Sequence, residues 1–470
     1  MLDLTAPDDV VAVVSPRSIV EPLFERPTTI TARNVDRHYS EPDVVRDAVR
    51  ELRRLGFTVS AVSQVTVSIS GPRRLFEEVF STRLEAQATE IRPGQEAGYF
   101  AVAETPEQAV QPPERLLPLI EGVAVARPPR LYESPLSPLS PPGPYRYVNV
   151  PSEVGGILGA TKVHRIGQTG LNVRVGMIDT GHFWHPFFRL HGYRRMSVLL
   201  GPYATDPADD WYGHGTGESA NIYATAPGAR LRPIKGLFDP VGDINVAVAS
   251  TPKLQVLSNS WGYSADFPGS SLTDPYLIAL EAAVANAVAK GIIVCFSAGN
   301  GHYGFPGSHP DVLSIGGVHV NYDPYASTLD FEASDYASSF DSSFYPGRHV
   351  PDFCGLVGRN DNGTAPLIQL PVQANSALDA LPPTGASDDG WGIFSGTSAA
   401  CPQVAGIVSL LLAYDPTLSV GDVRAILRDS ARDVVAGQSA MGDAAGPGPD
   451  AATGAGLVNA RDAWATLLGL

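Results

Sequence analysis

Apolar and polar positions alternate with two different rhythms along this chain, and the change of rhythm divides it. In residues 1–126, short β-branched runs at 10–14, 58–62, 66–70, 82–86, 99–102 and 122–126 are interleaved with two stretches, 42–55 and 73–80, whose apolar residues recur at helical spacing. Two amphipathic helices among short strands predict a small α/β sandwich of ferredoxin-like type.

Beyond residue 148 the strand-length runs lose their polar alternation. Residues 173–178, 231–234, 256–260, 292–297 and 312–318 are almost continuously apolar, as parallel strands covered on both faces require. Helical stretches fall between and after them at 243–250, 274–289, 399–413, 420–429 and 457–468. The pattern predicts a doubly wound, mostly parallel α/β domain over 148–470, with its ligands at the carboxyl ends of the strands. The two parts are joined by 127–147, RPPRLYESPLSPLSPPGPYRY, whose prolines and serines favour an extended, accessible linker.

Composition sharpens this division without changing it. A chain of 470 residues exceeds what one hydrophobic core organises. A net charge of −16 argues against nucleic acid or an anionic membrane as partner. Three cysteines, Cys295, Cys354 and Cys401, offer neither a disulfide framework nor a zinc motif. The first residues lack a basic stretch followed by an apolar core, and the apolar run 405–414 is too short to span a bilayer. The expectation is a soluble chain made in the cytoplasm, with any export by a leaderless route.

Four positions carry candidate chemistry. Asp179 ends the strand VRVGMIDTG, where a carboxylate fixed before a tight Thr180-Gly181 turn can orient an imidazole. His214 lies between Gly213 and Gly215, ahead of a helix that Thr216 is expected to start; a general base belongs at such an entrance. His182 and His185 compete for that role but lack the glycine-flanked helix start. Ser398 opens a long apolar helix, where the dipole and free N–H groups suit a nucleophile and an oxyanion; Pro402 is placed in the first turn, where no helical bond is lost. Asn300, at a strand end among glycines, can aim an amide N–H at a developing oxyanion. Taken singly, each is equally a turn or cap residue. Their joint occurrence in the order Asp, His, Asn, Ser, each at one edge of a parallel sheet, is not a coincidence to be expected.

These segments resemble the subtilase family of serine peptidases, whose motifs read D-T-G, H-G-T, A-G-N and G-T-S-x-A-x-P in that order. The likeness extends over 155–470 and includes NSWG at 259–262 and GAGLVNARDAW at 454–464. It implies a subtilisin-like fold and a serine endopeptidase in which His214 takes the proton of Ser398, Asp179 holds the imidazolium, and Asn300 with the Ser398 N–H binds the tetrahedral intermediate. It also implies that Ser260, Trp261, Gly262, Ala298 and Gly299 meet the backbone of a protein or peptide substrate. The sequence departs from the family at Ala399 and Gly217, which bear on pocket shape. The short path from His214 to Ala226-Pro227 lacks the insertion of a strong calcium loop, so no cofactor and no obligatory metal is expected; residues 205–210 and 387–389 are read as solvated acidic loops that offer at most a weak calcium ion.

Residues 65–86 resemble the activation domains of subtilases and of the related sedolisins. This implies an inhibitory and chaperoning domain over 1–126, with 122–130 in the cleft and maturation within 127–147. Sedolisins use Glu and Asp with Ser, but His214 and Asn300 favour the histidine mechanism; Glu218, one helical turn past His214, is the residue that bears on this choice. A catalytically silent peptide-binding pseudoprotease is the alternative of another class. An α/β-hydrolase is disfavoured because Ser398 is not within G-x-S-x-G.

Overall fold

The computed structural model describes residues 9–25, 29–92, 95–103, 108–131, 147–321, 329–359, 367–379 and 389–470. Most of the 127–147 linker and residues 387 and 388 lie outside these.

The first unit is built on β1 (Asp9–Pro16), α1 (Pro42–Arg54), β2 (Thr58–Val62), β3 (Val67–Pro72), α2 (Arg73–Phe80), β4 (Leu84–Arg92), β5 (Gln95–Val102) and β6 (Ile120–Val125). Pro42 at the start of α1, Asp43 in its first turn and Arg53 and Arg54 in its last suit the helix dipole, and Val45, Ala48 and Leu52 form its buried stripe. The four-stranded antiparallel sheet runs β2-β3-β1-β6, the ferredoxin-like order; β4 and β5 form a separate ribbon.

The inner strands β1 and β3 of that sheet are buried on both faces, and the pleat assigns each side chain to one of them. Val10, Ala12 and Val14 of β1 pack with α1 and α2 residues such as Leu52 and Phe76. Val13, with Ala124 and Ala126, instead joins a cluster that contains Leu277, Ile278 and Ala285 of the second unit. Residues 122–126 therefore belong to the sheet and to this docking face, not to a cleft. Polar contacts run along the same seam: Asn245 Nδ2 donates to Thr66 Oγ1 at 2.9 Å, Tyr39 Oη to Asn286 Oδ1 at 2.8 Å, and Tyr263 Oη to the Arg127 carbonyl at 2.8 Å.

What does leave the first unit is β7 (Arg130–Leu131), which pairs antiparallel with Gly262 and Trp261. Of the predicted 122–130 segment, only Arg130 pairs with this strand, and the pairing continues to Leu131.

The second unit follows the predicted alternation: β8 (Arg174–Asp179), α3 (His214–Thr225), β9 (Arg230–Lys235), α4 (Pro240–Val248), β10 (Val256–Asn259), β11 (Trp261–Ser264), α5 (Pro275–Ala289), β12 (Ile293–Ser297), β13 (Leu313–Asn321), α6 (Thr397–Tyr414), α7 (Val420–Asp429) and α8 (Ala460–Leu467). Strands β9, β8, β10, β12 and β13 lie side by side in that order, all parallel. The chain places β9 on one side of β8 and β10 on the other, so the carboxyl end of β8 is a topological switch point.

Two helices at that edge differ from the expectation. Helix α3 begins at His214 itself, with Gly213 at φ 94° as its cap, two residues ahead of Thr216. Helix α6 runs 18 residues from Thr397, so Pro402 is its sixth residue and lies past the first turn. The missing N–H would have bonded the Ser398 carbonyl, which accepts instead from Ser260 Oγ at 2.9 Å. By length and composition α6 could cross a membrane, but 89% of it is buried in the fold, as in a core helix.

Helices α3 and α6 approach closely where Gly406 faces the end of α3. A Cβ there would lie 2.7 Å from the Ile222 carbonyl oxygen and nearer still to Thr225 Oγ1. Gly406→Ala is expected to force the helices apart, at a cost of roughly 1–3 kcal/mol, read as a lower midpoint in urea unfolding.

Candidate active site

Asp179 is the last residue of β8 and is buried, with one oxygen, Oδ1, accepting from Thr180 N at 2.7 Å. His214 stands at the first turn of α3, and its Nδ1 meets the same Oδ1 at 2.8 Å. Gly215 permits that approach: a Cβ there would lie 2.3 Å from the Gly181 carbonyl oxygen and 3.0 Å from Asp179 Cβ.

Ser398 is the second residue of α6, and its Oγ donates to the Ser260 carbonyl at 3.3 Å. Ser260 returns the bond already described to the Ser398 carbonyl, so the nucleophile candidate and the β10–β11 junction hold each other. Asn300 follows β12. Its Oδ1 accepts from Thr397 N at 2.9 Å and Thr397 Oγ1 at 3.0 Å, which fixes the amide plane and makes Nδ2 the donor end.

The backbone of Gly299 is also engaged by Thr397 Oγ1, 3.2 Å from both its N and its O. Ala298 is held by its N–H on the Ile315 carbonyl. Trp261 is buried against Phe296 while its backbone, with that of Gly262, pairs with β7. All nine predicted site residues therefore converge on one sheet edge and its two helix starts.

The competing histidines are engaged elsewhere. His182 is fully buried, contacts Ser219 Oγ at 3.2 Å through Nδ1, and is pressed down to about 3 by burial and by Arg195. His185 accepts from Phe187 N as the cap of a short helix. Of the two departures, Gly217 gives room to Phe394, whose ring carbons a Cβ would meet at 2.3 Å, and that ring lies 5.9 Å from the His214 ring. Ala399 is core, packed in the main cluster of the second unit.

Three positioning side chains escaped the motif reading. Asp210, expected to be a solvated loop acid, is fully buried: Oδ1 accepts from Thr180 Oγ1 at 2.7 Å and Gly213 N at 3.0 Å, and Oδ2 from Thr216 N at 2.8 Å and Thr216 Oγ1 at 2.5 Å. It thereby ties the Asp179 turn to the His214 helix. Burial pushes its carboxyl up, and the two threonine hydroxyls oppose this. The signal was present as an acid three residues before Gly213, where side-chain capping of a helix entrance occurs. Tyr336 Oη accepts from Gly396 N at 2.8 Å and Gly358 N at 2.7 Å and contacts Ser395, fixing the turn ahead of Ser398. Thr397 is the third, and nothing local marks Tyr336.

The carboxylates of 205–210 are also spoken for. Asp209 holds Lys235 Nζ at 3.2 Å and Gln373 Nε2 at 2.9 Å, leaving Asp206 as the exposed acid of the loop.

The family model described as the subtilase family matches residues 170–456. Subtilisin NAT of Bacillus subtilis subsp. natto is 28% identical over 290 residues, covering 58% of this chain and 64% of its own length. Fervidolysin of Fervidobacterium pennivorans is 26% identical over 318 residues, 59% of this chain and 40% of its own. The serine protease AprX of Bacillus subtilis (strain 168) is 29% identical over 303 residues, 57% of this chain and 64% of its own. The matches thus span less than two thirds of these relatives. The crystal structure of fervidolysin, a keratinolytic enzyme related to subtilisin, superposes with a TM-score of 0.55 at 19% identity, over 97% of this chain and 60% of that one. The likeness in fold therefore takes in the first unit as well as the second.

Removing the Asp210 carboxylate leaves buried donors on Thr180, Gly213 and Thr216 without an acceptor. Asp210→Ala is expected to destabilise the chain by about 3–5 kcal/mol, measured by urea unfolding monitored by circular dichroism.

Proposed function

The chain belongs to the subtilase family, and from that premise we propose that it is a serine endopeptidase whose triad is Asp179, His214 and Ser398. Supporting this is the Asp179–His214 bond of 2.8 Å at the switch point, with Ser398 on the helix packed across α3. That one observation carries the reading, because it joins a buried acid and a base at the place where the nucleophile's helix begins.

The chemistry follows from the atoms. His214 Nε2 takes the proton of Ser398 Oγ as the oxygen attacks the scissile carbonyl, while Asp179 holds Nδ1–H and stabilises the imidazolium. The oxyanion is met by Asn300 Nδ2 and the Ser398 N–H, both rigid because Thr397 ties Asn300 to the start of α6. The imidazolium gives its proton to the leaving amine, and water resolves the acyl-enzyme. The substrate adds a strand to Trp261 and Gly262, aligned by backbone bonds that ask little of its side chains.

The first unit is proposed to hold the enzyme as a zymogen. Its β7 already takes the antiparallel partner position on Trp261 and Gly262, and its sheet docks on α4 and α5. Being tethered, it competes at an effective concentration that a free peptide does not reach. Maturation within 127–147 would release the edge of β11.

Incubation of the wild-type chain beside Ser398→Ala is expected to yield new amino termini within 127–147 in the wild type alone, read by terminal sequencing. A fluorophosphonate should label the processed wild type at Ser398; absence of both products and label would leave a peptide-binding pseudoprotease instead. In the processed enzyme Asn300→Ala is expected to lower kcat about 10²–10³-fold with little change in KM, measured with a chromogenic peptide.

A further inference from the structure

Helix α3 carries an acid on the face that carries His214. Glu218 lies one turn along and is fully buried, with Oε1 3.6 Å from His214 Nε2. The two oxygens of this carboxyl are treated differently. Oε2 accepts from Asn221 Nδ2 at 2.9 Å, Asn221 Oδ1 accepts from Gln403 Nε2 at 3.3 Å, and Gln403 Oε1 accepts from Leu356 N at 2.8 Å. Oε1 has no hydrogen-bond partner among the described residues. One oxygen is thus moored to α6, the helix of Ser398, and the other is presented to the imidazole.

The ring is bracketed by carboxylates, Asp179 at Nδ1 and Glu218 at Nε2. Nε2 is the atom that must accept the serine proton in the mechanism above. Packing alone does not account for an acid here, because burying a carboxyl with one oxygen unbonded is costly and an apolar side chain would fill the same space.

We propose that Glu218 is a positioning residue for the reaction, sharing the proton of His214 at Nε2 so that the base is made available to Ser398 by the pair rather than by the histidine alone. This rests on the reading of His214 as the general base.

The other groups around the pair are few. Asp179 faces it from β8, and Asp210 from the loop before α3, already saturated by hydroxyl and amide donors. His182, from the segment after β8, is held neutral by burial; Cys401, from α6, is a thiol pushed up to about 12. Arg195 bears on His182, whose pKa it lowers. Burial pushes the Glu218 carboxyl up to about 7, against the pull of His214. Two groups so coupled lose their protons in two steps that belong to the pair.

The sign is fixed by charge. An ionised Glu218 favours the imidazolium, so the neutral base appears only at higher pH than it would without that carboxylate. Removing the charge lets His214 deprotonate earlier, and the acid limb of activity moves to lower pH. An opposite charge at this range shifts a pKa by about 1–3 units.

The test uses the full-length chain carrying Ser398→Ala and histidine labelled with 13C at Cε1, titrated by NMR with and without Glu218→Gln. The His214 resonance is assigned by its loss in His214→Gln. Its apparent pKa should fall by about 1 unit or more in Glu218→Gln, and a two-step titration should become a single step. A shift below 0.2 unit, about the precision expected of such a titration against the 1–3 units above, overturns the proposal. Should Glu218→Gln fail to fold, Glu218→Asp, which retracts the charge by one methylene, should give a smaller shift in the same direction, and no shift overturns the proposal equally. With Ser398 intact, the acid limb of fluorophosphonate labelling after self-processing should move by the same amount. Labelling with an unmoved limb sinks the role of Glu218, whereas an NMR shift without any labelling supports the pair and sinks the peptidase reading.

Discussion

Two buried helices that start at one sheet edge and cross in contact set the terms for everything else in this molecule. Helix α3 must bring His214 within reach of Asp179, and α6 must bring Ser398 to the same point. Gly215 allows the first approach and Gly406 the second, each at a distance that a single methyl group would prevent. Thr225 Oγ1 then donates to the Gln403 carbonyl at 2.9 Å, locking the last residue of α3 to α6. Because protein interiors are close-packed, a shift at the Gly406 crossing is transmitted along both helices to the residues at their starts.

A helix buried on all sides and yet rich in polar residues is costly unless those residues find partners. In α3 they do: Thr216 on Asp210, Ser219 on His182, Asn221 on Glu218 and Gln403. The network is what makes the entrance rigid. It also concentrates acids, since Asp179, Asp210 and Glu218 share a small region with a single histidine between two of them. Low local dielectric strengthens each bond in that region and makes any proton there a shared property.

The first unit obeys a different constraint. A four-stranded sheet with two helices covers one face only, and its other face has to be buried somewhere. Val13 and Ala124 place that face on α5, and the chain then continues into β7, which adds a strand to β11. Docking and strand addition are consecutive consequences of one apolar face. The backbone pairing needs no particular side chain, and so no motif marks Arg130 or Leu131 as the residues that reach.

Sequence alone determined the two-unit division, most of the elements and the four candidate positions, because each is written in short-range terms: apolar period, glycine-flanked turns, a serine at a helix start. The strand 58–62 and the helices 73–80 and 420–429 are found at their predicted bounds. Tertiary structure alone decided what depends on partners far along the chain. Pro402 is tolerated because Ser260 supplies a donor 138 residues before Ser398. Asp210 is buried because the turns of Thr180 and His214 close over it, and Tyr336 serves a glycine 60 residues away. The residues 122–126 read equally well as a cleft strand or a sheet strand until the second face of β1 found its cover. Glu218 shows both halves at once: its helical spacing from His214 is legible in sequence, but which nitrogen it faces was settled by the bond that Asp179 makes to the other.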